Sequence, residues 1–378
     1  MLDALIVGAG PSGSYLGHLL AEKGFDVKIL EEHREVGRPV ECTGLVSERV
    51  FKMAHSRSKV NSVSGANVFF PNGKSIHIAK GEKTIVMDRD QFDKDVAAMA
   101  ISSGSDFSIH SKAIVAKVGE DGATVTYRED GEKKEIKASM VIGADGINSV
   151  VRKDLFSTRP GRIISCYQVD SAAELEDQDS VNVYVGSDSS SGFFGWATPS
   201  GKLTRIGVGS YHSPAYRYFL KINERFGKDK IVGINGGSIP VKYLKRTYGD
   251  RALLVGDAAG IVKPLSGGGI YTGMVSSVHA AKAIESAFDA ENFSAKHLSA
   301  YQKAWKHELG RELWFDGMIH RLFGGISDRK FNALYDVLAA PESIDIINGT
   351  GDIDYPSRVV ISLFLKRPRL VSRMLFTR

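Results

Sequence analysis

A glycine-rich turn near the first residues of the chain has the spacing of a dinucleotide site. Gly8, Gly10 and Gly13 form a G-x-G-x-x-G segment between an apolar run and a helical pattern. The first glycine allows a tight turn, the second lets the backbone approach a pyrophosphate, and the third lets helix and strand pack closely. Glu31 ends the next predicted strand, where a carboxylate accepts hydrogen bonds from a ribose and disfavours the 2′-phosphate of NADP. A turn that binds nothing is the alternative, but the strand, the helix and the acid together favour a nucleotide.

Two aspartates farther along the chain each follow a short apolar strand. Asp145 comes after residues 141–144, and Asp257 comes after residues 253–256. Open α/β sheets bind ligands at the carboxyl ends of their strands, so both carboxylates are candidates for ligand contacts. The alternative is that each is a turn residue or a helix cap, as Asp often is.

These segments resemble motifs of the flavoprotein superfamily that includes para-hydroxybenzoate hydroxylase. Residues 141–152 resemble its strand-then-Asp-Gly motif, and residues 253–260 resemble its Gly-Asp motif. The resemblance implies that the cofactor is FAD, that Asp257 hydrogen-bonds the ribityl chain, and that Asp145 supports the dinucleotide from behind. The glycines at 267–269 lead into a helix whose first amides can face the flavin pyrimidine edge and stabilise the negative charge of reduced flavin.

A narrower resemblance is to the geranylgeranyl reductase family. Residues 37–45 contain its P-x-x-C-x-G pattern, and residues 87–93 match its Arg-x-x-Phe-Asp segment. Residues 194–199 resemble its aromatic-x-Trp-x-Phe-Pro motif, except that Thr198 stands where the family usually has Phe, and residues 258–270 match its flavin loop. From the motifs and the resemblance together, the predicted cofactor-binding residues are Gly8, Gly10, Ser12, Gly13, Glu31, Cys42, Thr43, Gly44, Arg89, Ala113, Asp145, Asp257, Gly268, Gly269 and Ile270.

The resemblance implies a reductase that saturates C=C bonds of geranylgeranyl chains in isoprenoid lipids, with hydride from N5 of reduced flavin. An isolated alkene has no carbonyl to hold developing charge, so alignment in an apolar site must carry much of the catalysis. Phe194, Trp196 and Pro199 are the predicted substrate-binding residues, with ordinary sheet packing as the alternative. Cys42 is the candidate catalytic residue, which shapes the reacting face or relays a proton; the alternative is a small residue packed near the flavin. Arg89 offers a fixed cation near the pyrophosphate or adenosine, unless it is a surface charge.

Two rival functions stay open at this point. One is an FAD-dependent monooxygenase of the same superfamily, and the other is a quinone-linked electron carrier without prenyl chemistry. The sequence lacks a second dinucleotide-binding pattern, so we expect an external electron donor: NADPH, ferredoxin or another reduced carrier. No metal is expected, because His307 and Glu308 begin a zinc motif that Arg311 does not complete. The mild net charge of +5 gives no indication of a nucleic-acid partner.

The composition is that of a folded protein of the reducing cytosol. Of the 378 residues, 43% are hydrophobic and 25% are charged, which excludes a disordered chain. Cys42 and Cys166 give no disulfide framework. No apolar run approaches the roughly 20 residues that span a bilayer, so any membrane contact must be peripheral. Residues 356–378 carry six basic residues and no acid among apolar ones. This tail either docks on the anionic inner face of the cell membrane or packs as a helix on the domain.

The order of elements predicts a doubly wound α/β FAD-binding domain in discontinuous pieces, an inserted, mostly antiparallel β-sheet substrate domain and a helical C-terminal region. The predicted ranges are 1–62, 85–160 and 245–288 for the FAD-binding domain, 63–84 and 161–244 for the sheet domain, and 289–378 for the helical region. The predicted strands are 3–7, 26–30, 107–118, 123–128, 139–143, 252–255 and those within 163–211, and the predicted helices are 13–23, 88–103, 270–288 and those after 294. Asn72-Gly73 predicts a hairpin turn within 67–78.

Overall fold

The computed structural model describes residues 1–159, 161–227 and 230–366, which form two eight-stranded sheets and the helices packed on them. The strands are β1 (Leu2–Val7), β2 (Val27–Leu30), β3 (Leu45–Val46), β4 (Lys59–Phe69), β5 (Ser75–Met87), β6 (Asp106–Ser108), β7 (Ser111–Val118), β8 (Ala123–Glu129), β9 (Glu132–Gly143), β10 (Ile163–Ser171), β11 (Ser180–Tyr184), β12 (Gly195–Ser200), β13 (Leu203–Ser210), β14 (Ile231–Pro240), β15 (Tyr248–Gly249) and β16 (Ala252–Leu254). The helices are α1 (Pro11–Ala21), α2 (Glu48–Ala54), α3 (Arg89–Ser102), α4 (Val150–Phe156), α5 (Ala215–Asn223), α6 (Ile270–Asp289), α7 (Ala295–Phe323), α8 (Asp328–Leu338), α9 (Pro341–Thr350) and α10 (Ser357–Lys366).

The first sheet is the parallel sheet that the sequence predicts. Its order is β15-β16-β9-β1-β2-β6, with β7 and β8 added as antiparallel strands beside β9. The four pairings β16–β9, β9–β1, β1–β2 and β2–β6 are parallel, so the carboxyl ends of β1, β9 and β16 lie at one edge. The three motifs follow these strands, and the fold therefore brings them to one place.

The second sheet has the order β14-β10-β13-β12-β11-β4-β5-β3. All its neighbours are antiparallel except β11 and β4, which run parallel. The mostly antiparallel sheet is therefore confirmed. It takes in β3 and the whole of β4, although these begin within the range 1–62 that we predicted for the FAD-binding domain.

The long C-terminal helix α7 shares a core with the first sheet. Trp305 and Tyr301 of α7 are fully buried in the cluster that also holds Leu254 and Ile142. The Tyr301 hydroxyl donates to the Leu254 carbonyl oxygen (2.7 Å), next to the turn that contains Asp257. The helical C-terminus is thus present, and α7 packs against the first sheet near the edge at which the three motifs lie.

Two local predictions differ from the structure or extend beyond it. Residues 107–118 form two strands, β6 and β7, because His110 between them adopts a left-handed φ of 54°. The predicted basic tail is described only as far as Lys366, in α10, and residues 367–378 lie outside the described residues. Within the described ranges, no helix combines the length and apolar character needed to cross a bilayer.

Candidate active site

The glycine turn between β1 and α1 is closely packed against backbone atoms at two of its three glycines. Gly8 has a φ of +101°, and a Cβ there would lie 2.5 Å from the Ala144 carbonyl oxygen. A Cβ on Gly13 would lie 2.0 Å from the Gly8 oxygen, whereas no heavy atom of the described residues, apart from Gly10 and its chain neighbours, lies within 4 Å of a Cβ on Gly10. Packing within the protein requires Gly8 and Gly13. The bare α-carbon of Gly10 faces open space, as an approaching phosphate requires.

Glu31 lies beside this turn, and β7, which carries Ala113, is hydrogen-bonded to Glu31. Gly10 is the N-cap of α1, and no side chain of the described residues caps that helix, so its first amides suit an anion. Glu31, after β2, accepts a hydrogen bond from the Ala9 amide at Oε2 (2.9 Å). The Ser111 amide at the start of β7 donates to the Glu31 carbonyl oxygen (2.7 Å), two residues before Ala113. The structure thus places Glu31 next to the glycine turn and links it through Ser111 to β7, the strand that carries Ala113.

Asp145 and its motif meet the Asp257 turn through an arginine. Asp145 Oδ2 accepts hydrogen bonds from the Val150 amide (2.7 Å) and the Val151 amide (3.3 Å) at the start of α4. Its Oδ1 is buried without a hydrogen-bond partner among the described residues. Burial raises the pKa of Asp145, and hydrogen bonds from the Ser149 side chain and from backbone amides, among them Val150 and Val151, oppose that rise. Arg152 Nη1 donates to the Ala258 carbonyl oxygen (3.1 Å), so this buried arginine, which we did not single out from the sequence, joins the two motifs.

The Asp257 carboxylate lies against the start of α6. Asp257 sits in a short 3₁₀ turn, Gly256–Ala259, directly after β16. Its Oδ1 lies 2.8 Å from where a Cβ on Gly269 would be, and Gly269 is the residue before Ile270, the first residue of α6. Burial raises the pKa of Asp257 to about 6, and the positive charge of Arg89 opposes that rise.

Ser12 packs where α1 meets α6. A Cβ on Gly256 would lie 2.5 Å from Ser12 Oγ, and a Cβ on Gly273 would lie 2.3 Å from it. The Ser277 hydroxyl of α6 donates to the Ser12 carbonyl oxygen (2.8 Å). Glycines at 256 and 273 therefore allow the first and third motifs to approach within contact distance.

The segment Cys42–Thr43–Gly44 is bound to the second sheet by Gln168, which lies on β10. The Thr43 hydroxyl donates to Gln168 Oε1 (2.9 Å), and Gln168 Nε2 donates to the Cys42 carbonyl oxygen (3.2 Å). The same Oε1 accepts a hydrogen bond from Trp196 Nε1 (3.0 Å). Gln168 is 4% exposed and joins the predicted flavin segment to the predicted substrate motif. The sequence offered only strand alternation at this position, which does not indicate a functional residue.

Arg205, on β13, holds the same segment from a second side. Its Nη1 donates to the Thr43 carbonyl oxygen (2.8 Å) and the Met87 carbonyl oxygen (3.1 Å), and its Nε pairs with Asp170 Oδ1 (3.3 Å). Gly44 has a φ of +81°, and a Cβ there would lie 2.5 Å from that guanidinium. An arginine inside the otherwise uncharged strand β13 is the sequence signal that could have identified it.

Arg89 begins α3 and is held by a neighbouring carboxylate. Its Nε and Nη2 donate to Asp93 Oδ1 (2.6 Å) and Oδ2 (3.0 Å). Burial alone would lower the pKa of Arg89, but Asp93 and the nearby Cys42 sulfur raise it above its ordinary range. The Gly44 amide donates to Cys42 Sγ (3.3 Å). The structure therefore places a fixed cation beside Cys42.

The predicted substrate residues are only partly brought together. Phe193 and Phe194 stack with ring centroids 4.1 Å apart, and Phe194 meets the Trp196 ring edge-on at 6.0 Å. Phe193 Cζ lies 3.5 Å from where a Cβ on Gly267 would be, so this aromatic wall borders the loop at 263–269. Pro199 is three positions from Trp196 on β12, and side chains alternate along a strand, so Pro199 faces the opposite side of the sheet.

Residues 1–304 of the chain match the FAD binding domain family. The chain belongs to that family. It is therefore an FAD-dependent oxidoreductase, as predicted. A digeranylgeranylglycerophospholipid reductase of Picrophilus torridus is 30% identical to it over 94% of this chain and 97% of the relative. Digeranylgeranylglycerophospholipid reductase 2 of Methanopyrus kandleri is 29% identical over 95% of this chain and 96% of the relative. A crystal structure of a geranylgeranyl bacteriochlorophyll reductase-like protein from Thermoplasma acidophilum has a TM-score of 0.88 at 25% identity, covering 99% of this chain and 98% of that one.

The geometry of this FAD-binding protein fits its cofactor at both ends of the site. The open α-carbon of Gly10 at the uncapped start of α1 suits the pyrophosphate. The buried, unpartnered Asp145 Oδ1 suits a hydroxyl or water at the dinucleotide. Asp257 and the amides that follow Gly269 lie together where the ribityl chain and the pyrimidine edge are predicted. The residues present therefore fit FAD.

Proposed function

We propose that this flavoprotein saturates C=C bonds of geranylgeranyl chains in isoprenoid lipids. The observation that carries the proposal is the hydrogen-bonded connection from Trp196 through Gln168 to Cys42 and Thr43. It joins an aromatic wall, suited to an apolar chain, to the segment predicted to contact the flavin. The names of the relatives from Picrophilus torridus and Methanopyrus kandleri support the same substrate class.

Bound FAD, once reduced, supplies the hydride for one alkene carbon. The chain's own residues have to align the other reactant, exclude water and manage the proton for the second carbon. The aromatic wall of Phe193, Phe194 and Trp196 offers stacked and edge-on ring surfaces. Such surfaces suit an apolar chain, which has no groups that form hydrogen bonds. Alignment is therefore the main task of the protein in this reaction.

Cys42 is the proposed proton-relaying residue. The Gly44 amide fixes its sulfur (3.3 Å), and Gln168 fixes its carbonyl oxygen (3.2 Å). Arg89 lies beside the Cys42 sulfur, so a fixed positive charge faces the proposed relay. The thiol can thus lose a proton in a defined position and recover it from solvent.

The electrons are proposed to come from an external reduced carrier, either NADPH or a ferredoxin-like protein. The FAD binding domain match covers residues 1–304, and the first sheet supplies one glycine-rich dinucleotide turn within the described residues. A bound prenyl lipid also implies peripheral contact with a membrane. The exposed side chains of Phe364 and Leu365 on α10, 42% and 76% exposed, support such a contact.

Mass spectrometry of a geranylgeranyl phospholipid tests the proposal. The FAD-loaded protein is incubated with the lipid and dithionite without oxygen, beside a reaction that lacks protein. Mass gains in steps of two hydrogen atoms are expected. Unchanged lipid, despite flavin that dithionite bleaches, would overturn the proposal. The same reaction with NADPH and oxygen would then reveal a monooxygenase by the gain of one oxygen atom, and a quinone assay would reveal an electron carrier.

A further inference from the structure

A buried lysine connects the predicted flavin loop to the C-terminal part of the chain. Lys263 is 3% exposed, and its Nζ donates to the Ile353 carbonyl oxygen (2.5 Å) and lies 3.4 Å from Asp354 Oδ1. Asp354 is equally buried. Moving two charges out of water costs several kcal/mol per ion, so an ion pair kept inside the protein calls for an explanation beyond stability.

The segment 352–357 makes further contacts around the same site. Arg49 of α2 binds both oxygens of Asp352 (2.9 and 3.0 Å) and pairs with Asp354 Oδ2 (3.1 Å). The hydroxyls of Tyr355 and Tyr271 lie 3.1 Å apart, and Tyr271 follows Ile270 in the first turn of α6. The segment therefore contacts α2, which follows the Cys42 segment, and α6, which follows the glycine loop.

The Lys263 ammonium lies directly beneath the glycine loop. Its Nζ is 3.1 Å from where a Cβ on Gly268 would be, and its Cε is 2.8 Å from that point. The loop is closed by its own backbone, since the Lys263 amide donates to the Gly268 oxygen (3.1 Å) and the Gly267 amide donates to the Lys263 oxygen (2.8 Å). A charge buried beside the loop is screened by few water molecules, so its electrostatic effect on the loop is stronger than that of a surface charge.

We propose that Lys263, held by the segment 352–357, is a positioning residue for the flavin. The positive charge of Lys263 favours the reduced, negatively charged form of the cofactor. The inference rests on the proposed contact of Gly268, Gly269 and Ile270 with the flavin pyrimidine edge. The helix N-terminus of α6 and Lys263 act in the same direction there. The segment 352–357 thereby becomes part of the cofactor site.

The two-electron reduction potential of the FAD-loaded protein tests the proposal without any prenyl substrate. Dithionite is added anaerobically with a reference dye, and the oxidised and reduced forms are followed by absorbance. Lys263→Met should lower the potential, because it removes the positive charge and leaves Asp354. Asp354→Asn should raise it, because it removes a negative charge and leaves Lys263. A tenfold change in the reduction equilibrium, about 30 mV for a two-electron couple, is the expected size in each direction.

Matched variants separate the charge from its structural role. Lys245→Met and Asp336→Asn make the same charge changes at exposed positions, where solvent screening should leave the potential unaltered. Lys263→Arg keeps the charge and should stay near the wild-type potential. If the two buried variants shift the potential in the same direction, or no more than the exposed ones, the proposal is wrong and the pair serves stability alone. Should Lys263→Met retain no FAD, Asp354→Asn and Lys263→Arg still decide the question. These potentials are measured without a prenyl substrate, so they would be the same even if the protein does not reduce prenyl chains.

Discussion

The glycine turn allows a substitution that separates cofactor binding from folding. At Gly10 the protein leaves room for a side chain, since beyond Gly10 and its chain neighbours no heavy atom of the described residues lies within 4 Å of a Cβ there. The backbone at this N-cap, with φ −66° and ψ 176°, is one that any residue adopts. Gly10→Ala should therefore fold normally, although its methyl group occupies the space that the pyrophosphate needs.

The expected loss follows from the hydrogen bonds at the start of α1. A methyl group that pushes the phosphates away costs at least one hydrogen bond to a charged group, about 1.5–3 kcal/mol. That free energy corresponds to a rise in the Kd for FAD of about 10- to 150-fold. Gly10→Ser should show the same rise, because it carries the same Cβ, while its hydroxyl restores a good N-cap and protects the stability of the apoprotein.

Fluorescence titration of the apoprotein with FAD gives the Kd, and urea unfolding gives the stability. Gly13→Ala is the opposite control, since its Cβ would lie 2.0 Å from the Gly8 oxygen and should destabilise the apoprotein itself. If Gly10→Ala and Gly10→Ser bind FAD as tightly as the wild type, the pyrophosphate does not approach this turn. The assignment of the turn as the phosphate site would then be refuted.

The remaining predictions concern three side chains. Gln168→Leu should lower the free energy of unfolding by about 1–3 kcal/mol for each buried partner left without a hydrogen bond, among them Trp196 Nε1; urea unfolding checks it. Burial and the negative charge of Glu312 raise the pKa of Asp316 from 3.8 to about 7, so the wild type should lose stability as the pH rises from about 4 through 7. At 1.36 kcal/mol per pKa unit, the wild type should lose about 4 kcal/mol of unfolding free energy over this pH range, and Asp316→Asn should not show that loss. Thermal or urea unfolding that gives both proteins the same pH profile would contradict this prediction. Cys42→Ser should keep FAD but slow anaerobic single-turnover prenyl reduction by about 10²-fold or more, and an unchanged rate would remove the proposed relay.

The parts of the site that can be predicted from the sequence are those formed by residues that are close together in the chain. The unit β1-α1-β2, with Gly8, Gly13 and Glu31, was predictable because turn geometry and hydrophobic periodicity are short-range properties. The same alternation of side chains could have separated Pro199 from Trp196, three positions apart on β12. The motif for that strand was instead interpreted as one continuous surface.

The residues that were missed are those whose role comes from tertiary packing. Gln168 and Arg205 lie on two strands of the second sheet and act on the Cys42 segment more than 120 residues earlier in the chain. Gln168 has no distinctive neighbour in the sequence, and the charge of Arg205 inside β13 does not by itself indicate which residues it binds. Lys263 lies inside the matched flavin loop, but its partner Asp354 lies beyond any motif that could be quoted. Long-range pairing of this kind leaves no periodic signal.

The contacts of the segment 352–357 also order the events by which the protein matures. Because a chain is synthesised from its N-terminus, the glycine turn is made early, and Arg49 and Lys263 are made long before Asp354, the acid with which both pair. Until then Arg49 and Lys263 have no Asp352 or Asp354 to pair with, and the loop at 263–269 lacks its lower support. From the proposed role of Lys263 we expect FAD to be loaded stably only after residues 352–357 have left the ribosome and packed against α2 and α6.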